Sequence, residues 1–239
     1  MIFPSPLHRA VLLRRYKRFL ADVRLEDGTE TTVHVPNPGA MLGLTTPASP
    51  VWLSRSPDPK RKLPLTLELI EADGGLVGVN TMNPNRIAEA AIAAAAVPEL
   101  TGYAHLTREV RYDVDSRIDL LLTDPERASA WVEIKNVHFL RRPGLVEFPD
   151  CRTTRGVKHL KALERVVEAG GRAVMLFVIQ RMDGEAFTTA DDLDPAYGPA
   201  LRAAAAAGVE VLCYACHVSP EQIRLDRRLP WQPDGAPAA

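Results

Sequence analysis

The sequence has few cysteines, few aromatic residues and almost no net charge. Its 239 residues include 3 cysteines and 6% aromatic residues, and 29 Lys and Arg against 30 Asp and Glu give a formal net charge of −1. An odd and sparse cysteine count argues against a disulfide framework. The balanced charge excludes a histone-like polycation, although a basic face can coexist with an acidic site.

Long hydrophobic runs are also absent. The longest apolar runs, residues 90–97 and 173–179, are much shorter than the about 20 residues that a membrane-spanning helix needs. Five basic residues interrupt the first twenty positions, where a secretory signal would need a continuous apolar core. We therefore expect a protein of the cytoplasm that does not contact a membrane.

A change in residue pattern divides the chain near residue 80. The first part alternates short apolar segments with turn signals such as Asp27-Gly28 and Asp73-Gly74. Asp-Gly between extended segments is a strong hairpin signal. About five short strands in about 80 residues predict a small β-barrel, with the OB type as the leading candidate. We assign this barrel to residues 1–82.

The second part, residues 83–229, mixes helical and extended patterns. Periodicity predicts helices over residues 86–97, 153–169 and 195–207, and strands over residues 108–112, 117–122, 130–137, 173–179 and 209–216. Thr153 or Thr154 is placed to cap the second helix. Pro143, Gly144 and Pro149 predict a loop before that helix. This order predicts an α/β domain with a mixed central sheet, followed by a flexible tail over residues 230–239.

Charged and apolar residues alternate along two of the predicted strands. Asp119 lies in the segment SRIDLLL, and Glu133 and Lys135 lie in the segment WVEIK. A hairpin that turns at Glu126 places Asp119 directly opposite Glu133, and Lys135 shares their face. The neighbouring apolar residues, such as Ile134, then face the core.

This pair of carboxylates is the basis for a predicted metal site. Opposed carboxylates repel each other at a cost of up to about 1 kcal/mol, and a divalent cation removes that cost. Mg²⁺ is usually bound through one or two carboxylates, waters and substrate phosphates, and water on a metal becomes a nucleophile near neutral pH. Lys135 is placed to orient that water or to offset transition-state charge. We therefore predict Mg²⁺ or Mn²⁺ at Asp119 and Glu133, and phosphodiester hydrolysis as the chemistry.

A third carboxylate, Glu109, is predicted to join the catalytic and metal-binding set. A hairpin that turns at Val114 places Glu109 beside Asp119. Glu89, on the preceding helix, is the alternative ligand at the same end of the sheet. The competing interpretation is a solvated sheet face on which Lys135 forms an ordinary salt bridge, and the placement across a hairpin favours the catalytic interpretation.

Several motifs in order resemble the sugar fermentation stimulation protein family, SfsA. They are SRIDLLL…WVEIKNV, FPDCRTTRGVKHL, RYKRFLADV, PNPGAML and Lys60-Arg61-Lys62, and the likeness extends over residues 5–229. The resemblance implies DNA binding and an α+β fold, with an OB-like barrel followed by a PD-(D/E)xK nuclease-like domain. In that motif Asp119 corresponds to the Asp, Glu133 to the acidic position and Lys135 to the lysine, and Ile118 replaces the Pro.

Basic residues form three clusters that predict contact with nucleic acid. On a barrel strand, Arg14, Tyr16 and Arg18 share one face, and basic residues among aromatic ones suit phosphate contact and base stacking. On the second predicted helix, basic residues at helical spacing lie on one side. The predicted nucleic-acid-binding residues are Arg14, Arg15, Lys17, Arg18, Lys60, Arg61, Lys62, Arg155, Lys158 and His159.

The sequence thus predicts a DNA-binding nuclease that depends on a divalent metal. A non-catalytic DNA-binding regulator that retains the nuclease-like fold is the alternative, and phosphate contacts alone do not separate DNA from RNA. The segment CYACH at residues 213–217 matches a haem-attachment pattern, but it lacks an export signal, and a second pair of zinc ligands is missing. The oligomeric state stays open.

Overall fold

The computed structural model describes residues 1–113 and 116–235, and its first part is a closed barrel. The barrel strands are β1 (His8–Tyr16), β2 (Leu20–Leu25), β3 (Glu30–His34), β4 (Pro50–Arg55), β5 (Leu65–Ala72) and β6 (Gly75–Gly78). They are ordered β3-β2-β1-β4-β5-β6, and a parallel contact between β3 and β5 closes the sheet. The predicted small β-barrel is confirmed.

Tight turns join the barrel strands where the sequence places Asp-Gly. Asp73 and Gly74 have φ values of 53° and 79°, a left-handed pair that suits the twist of a two-residue hairpin. Lys17 and Arg18 also have positive φ, 49° and 61°, and form the turn from β1 to β2. The prediction that Arg18 continues the strand face of Arg14 is therefore wrong, because the chain reverses first.

The second part has three helices and nine strands within the described residues. They are α1 (Pro84–Ala93), β7 (His105–Asp113), β8 (Ser116–Asp124), β9 (Arg127–Val137), β10 (Phe139–Arg142), β11 (Leu145–Phe148), α2 (Thr154–Glu168), β12 (Arg172–Ile179), β13 (Ala186–Thr189), α3 (Tyr197–Ala206), β14 (Glu210–Val218) and β15 (Ile223–Arg228). The main sheet has the order β15-β14-β12-β9-β8-β7. Because β12 pairs parallel with β9 and β14 while the outer pairs are antiparallel, the predicted mixed sheet is confirmed.

Short strands account for most of the differences from prediction. The expected loop before α2 contains the hairpin of β10 and β11, which turns at Gly144 with φ of 75°. Four-residue strands are too short to show a period, so proline and glycine were the stronger local signals there. β14 is followed by β15, whose alternation of buried Ile223 and Leu225 with exposed residues is a strand signal that the prediction passed over.

Apolar layers cover both faces of the main sheet. On one face, Ile87 and Ala88 of α1 pack over Val132 of β9 and its neighbours. On the other face, Leu160 of α2 and Leu201 of α3 pack over β12. Full burial of a side chain of this size contributes about 1.5–3 kcal/mol, so this core holds the strands that carry the charged residues in fixed positions.

Both ends of the chain are tied to the second part. The backbone of Phe3 donates to the carbonyl of Glu221 (3.0 Å), so the first residues lie along the C-terminal strands and not on the barrel. Gln232 donates to the carbonyl of Phe187 (2.8 Å), and its own carbonyl accepts from Thr188 Oγ1 (2.6 Å). The predicted flexible tail over residues 230–239 is therefore wrong for residues 230–235, and residues 236–239 lie outside the described chain.

Buried polar contacts also join the barrel to the second part. Arg181, which follows β12 and is 1% exposed, donates to Asp73 in the last barrel turn (2.9 Å) and to Asp183 (2.7 Å). Gly78 at the end of β6 donates to the carbonyl of Gln180 (2.8 Å). Among the helices of the described residues, none is long and apolar enough to cross a membrane.

Candidate active site

The two carboxylates lie where β8 and β9 stop pairing. Leu120 pairs with Val132 and Leu122 with Ala130, which is the register that the predicted hairpin requires. The ladder ends at Leu120, and Asp119 and Glu133 occupy the next positions on the two strands. The backbone N–H of Ile134 donates to Asp119 Oδ2 (2.7 Å). The predicted juxtaposition of the two strands is confirmed, and at the end of the ladder the Asp119 side chain takes the place of a backbone acceptor.

Two donors bind the Asp119 carboxylate, but its surroundings still disfavour the ionised form. Besides the Ile134 bond, Asn85 Nδ2 on α1 donates to Asp119 Oδ1 (2.8 Å). Burial and then the charge of Glu133 raise the pKa of Asp119 above its usual value, and these two hydrogen bonds offset the shift only in part. Added positive charge near Asp119 would therefore favour its ionised form.

Glu133 is buried, and one of its two oxygens is unused. Its side chain is 3% exposed, and Oε1 accepts from Lys135 Nζ (2.7 Å) and from His159 Nδ1. Within the part of the chain that the structure describes, Oε2 has no hydrogen-bond partner. Burial disfavours the charge, but Lys135 and His159 outweigh it and lower the pKa of Glu133. A buried, ionised oxygen without a donor lowers the stability of the folded protein, so a cation bound at Oε2 would stabilise it.

His159 reaches Glu133 from α2, and Arg155 fixes its tautomer. Arg155 Nε donates to His159 Nε2 (3.1 Å), and a guanidinium can only donate. Nε2 is therefore the acceptor, and Nδ1 carries the proton that bonds Glu133. His159 was predicted to contact nucleic acid, but it is 6% exposed and lies inside the acidic cluster.

The start of α2 is fixed locally, as predicted. Thr153 caps the helix by accepting the N–H of Gly156 on its side-chain oxygen (3.1 Å). Gly156 is needed there because a Cβ would lie 2.9 Å from both Thr153 and Tyr197. The cap therefore sets where His159, one turn further along α2, meets β9.

Glu109 does not complete the site. Its neighbours Arg108 and Val110 pair with β8 in the predicted register, but Glu109 itself has φ of 54° and is exposed. That left-handed backbone breaks the alternation from which its position was predicted. The predicted turn residue, Val114, lies outside the described chain. The alternative ligand, Glu89, is within 3.4 Å of Arg108 in an ion pair.

A divalent cation fits Asp119 and Glu133, although a larger protein ligand set is missing. In residues 1–113 and 116–235, no group of three or more His, Cys, Asp or Glu is placed to hold a metal ion. Mg²⁺ is commonly bound through only one or two carboxylates, with waters and substrate phosphates completing its shell. The open Oε2 and the raised pKa of Asp119 fit such a two-carboxylate site.

Two of the four predicted basic residues at positions 14–18 of the barrel already have partners. Arg14 pairs with Asp22 (2.8 Å) and lies 5.0 Å from the ring of Tyr16. The Arg15 guanidinium donates to four backbone carbonyls, those of residues 18, 37, 39 and 40, and so organises the loop after β3. Lys17 and Arg18 are exposed in their turn.

The remaining predicted nucleic-acid-binding residues lie on two separate surfaces. Lys60, Arg61 and Lys62 are exposed between β4 and β5, where Arg61 is 3.2 Å from His34 Nδ1. Lys62 and Arg14 line a groove of about 670 Å³ on the barrel. Arg155 and Lys158 are exposed on α2, next to the acidic cluster. Asn85 was missed because no local pattern links α1 to β8.

Comparisons with known proteins agree with this architecture. A family model described as the sugar fermentation stimulation protein RE domain matches residues 82–222, and one described as the SfsA N-terminal OB domain matches residues 13–79. The latter match confirms the OB type of the barrel.

Curated relatives and a solved structure extend over nearly the whole chain. Two proteins called sugar fermentation stimulation protein homolog are similar: that of Rhodospirillum centenum is 59% identical over 96% of this chain and 98% of its own, and that of Caulobacter vibrioides is 52% identical over 97% of each. The structure of SfsA from Pyrococcus furiosus in complex with Ca²⁺ is 26% identical, with a TM-score of 0.87 over 97% of this chain and 98% of that one.

Proposed function

The chain belongs to the sugar fermentation stimulation protein family, and from that premise we propose that it is a divalent-cation-dependent nuclease that hydrolyses phosphodiester bonds in DNA. The observation that carries the proposal is that Oε2 of Glu133, next to Asp119, is buried and has no hydrogen-bond partner among the described residues, with Lys135 beside the two carboxylates. The Ca²⁺ complex of the Pyrococcus furiosus relative supports it, because Ca²⁺, Mg²⁺ and Mn²⁺ all prefer oxygen ligands.

Asp119 and Glu133 would hold the cation, with Mg²⁺ or Mn²⁺ as the proposed ion. The cation supplies positive charge to the scissile phosphate and the attacking water. Asp119 keeps its orientation through Asn85 and Ile134, and Glu133 through Lys135 and His159. Each carboxylate is thus positioned before substrate arrives, which lowers the reorganisation that catalysis requires.

Lys135 is the residue that we assign to the reacting water and phosphate. Its Nζ lies 2.7 Å from Glu133 Oε1, and its side chain is 15% exposed, against 3% for that of Glu133. In the hydrolysis, the water oxygen bonds to phosphorus and gives up one proton to solvent. The bond to the leaving sugar oxygen breaks, and that oxygen takes up a proton from solvent. Lys135 orients the water and offsets negative charge that develops on the phosphate.

The proposal is tested by cleavage of labelled single- and double-stranded DNA with Mg²⁺ or Mn²⁺. We expect Asp119→Asn to lower the rate about 100-fold or more, because a site that has lost a charged ligand loses several kcal/mol of transition-state stabilisation. Glu109→Gln is the matched control, since it removes an exposed carboxylate from the neighbouring strand, and it should stay within about twofold.

Equal cleavage by wild type and Asp119→Asn would reject this site. A wild type that binds DNA tightly but cuts no DNA or RNA with either ion would favour the non-catalytic regulator. Cleavage of RNA alone would keep the chemistry and change the substrate.

A further inference from the structure

A pocket of about 320 Å³ that is lined by several charged and polar side chains lies at the seam between the barrel and the second part. Its barrel wall includes Arg18, from the turn after β1, and Gly39, from the loop after β3. The opposite wall includes His138, Asp150 and Arg152, which follow β9 and precede α2. Both parts of the molecule are needed to form it.

The acidic residue of this pocket is directed at the barrel and holds the seam together. Asp150 Oδ2 accepts the backbone N–H of Met41 (2.8 Å). A Cβ on Gly39 would lie 2.6 Å from the Asp150 carboxylate, so the two walls approach as closely as glycine permits. Although burial opposes it, the contacts with His138 and Met41 lower the pKa of Asp150. Its charge therefore serves the contact between the two walls.

His138 places a buried donor in the same wall. Asn136 Oδ1 accepts from Gln180 Nε2 (2.5 Å), which orients the amide so that its Nδ2 donates to His138 Nδ1 (2.8 Å). His138 Nε2 then carries the proton. His138 is 5% exposed, and among the described residues its Nε2 has no hydrogen-bond partner, with Asp150 Oδ2 at 3.5 Å.

Two exposed cations flank this donor. For the side chains of Arg18 and Arg152, the part of the chain that the structure describes contains no hydrogen bond or ion pair. They differ in this from Arg14 and Arg15, whose guanidinium groups are already bound. The two unpaired guanidinium groups outnumber the one charged carboxylate, Asp150, which already accepts from Met41. With the buried N–H, they make the pocket complementary to an anion with several oxygens, such as a phosphate diester.

The pocket is next to the carboxylate pair along the chain. Asn136, which lines it, is the residue after Lys135, and Thr153, which also lines it, caps the helix that carries His159. An anion in the pocket would therefore lie close to the end of β9 and the start of α2, the two elements that carry Lys135 and His159.

We infer that Arg18, His138 and Arg152 bind a backbone phosphate of the nucleic-acid strand that reaches Asp119 and Glu133. The inference rests on the proposed function and adds to it: the barrel contributes to the substrate site through one turn. The exposed Lys60, Arg61 and Lys62 lie outside this pocket.

The test is the affinity of the full-length protein for a fluorescent single-stranded oligonucleotide in Ca²⁺, measured by anisotropy over a range of salt. Arg18→Gln and Arg152→Gln should each weaken binding about tenfold, the effect of losing one charge-assisted bond, and lower the salt slope by about 0.7. Arg55→Gln, which removes an exposed charge at the end of β4 outside the pocket, is the matched control and should stay within about twofold. Thermal melting of each variant checks that it remains folded.

Replacing single phosphates of the oligonucleotide with uncharged methylphosphonates locates the contact. At one position, the replacement should lower the affinity of the wild type about tenfold. The same replacement should barely lower the affinity of Arg18→Gln and Arg152→Gln, because these variants have already lost that contact. If wild type binds DNA but both variants bind it as well as Arg55→Gln does, or if each variant responds to a different phosphate, the inference is wrong and the proposed function stands. If wild type binds no nucleic acid, the proposed function fails first.

Discussion

Arg14 and Arg15 on the barrel and Arg18 and Arg152 at the seam are chemically alike but differ in what they already bind. On the barrel, Arg14 is paired with Asp22 and Arg15 with backbone carbonyls. At the seam, Arg18 and Arg152 border a pocket that contains an unsatisfied buried donor. A count of charges in the sequence does not separate these arginines. Whether a guanidinium group is free to bind phosphate depends on partners that are distant in the chain.

The largest expected difference between the two surfaces is in catalysis. Lys135→Met should lower DNA cleavage about 100-fold or more, since it removes the cation that offsets charge on the reacting phosphate. Arg61→Met, on the barrel, should change the rate less than about threefold. Cleavage rates at saturating DNA measure both, and a similar loss in the two variants would contradict the assignment of the site to the second part.

The close approach of the two walls of the seam gives the next largest effect. In Gly39→Ala, the added Cβ would lie 2.6 Å from the Asp150 carboxylate, so this side chain must move away from Met41 or the walls must separate. We expect about tenfold weaker DNA binding and a loss of about 1–3 kcal/mol in unfolding free energy, as for overpacking. Gly75→Ala is the control, because a Cβ there meets nothing within 4 Å. If Gly39→Ala and Gly75→Ala bind DNA with equal affinity under conditions in which both are folded, the seam does not contact DNA.

The comparison can also be tested by removing the ion-pair partner of a barrel arginine. Asp22→Asn removes the ion pair of Arg14 and keeps an oxygen that can accept from Thr32. If pairing is what keeps Arg14 from binding phosphate, DNA affinity should rise about two- to threefold at low salt and return to the wild-type value at high salt. No gain at low salt would mean that the position of Arg14, and not its partner, limits its role.

The smallest expected effect is on stability in acid. Because the folded pKa of Glu133 is lowered from its usual value of 4.5, its charge contributes stability that is fully present above that pH and is lost as pH falls through the folded value. Between pH 5 and 3, unfolding free energy should therefore fall more steeply for wild type than for Glu133→Gln. Urea titrations at several pH values measure this, and parallel curves would contradict the lowered pKa.

Local patterns were sufficient for the frame of the site. Alternation and the turn at Glu126 predict the register that brings Asp119 opposite Glu133, and Thr153 is recognisable as a helix cap. The contacts that complete the site join distant segments, as Asn85 of α1 joins Asp119 and His159 of α2 joins Glu133. Spacing along one element carries no signal for such contacts.

Backbone exceptions explain the clearest error in the predicted site. Glu109 has the correct position for a ligand if β7 alternates regularly, but its φ of 54° lies in the left-handed region. Non-glycine residues adopt that conformation only rarely, so a sequence rule based on alternation does not anticipate it. The prediction of a flexible tail was wrong for a different reason. Residues 230–232 pair with β13, which is distant in the chain.

The most direct measurement of the central claim is the melting temperature of the metal-free protein as Mn²⁺ is added. A cation that binds only the folded state adds about 2.7 kcal/mol at one hundred times its dissociation constant, which corresponds to a rise of about 5–10 °C. We predict a saturable rise of this size for wild type and Glu109→Gln, and its loss in Asp119→Asn and Glu133→Gln. The same rise in all four proteins would show that the cation binds elsewhere.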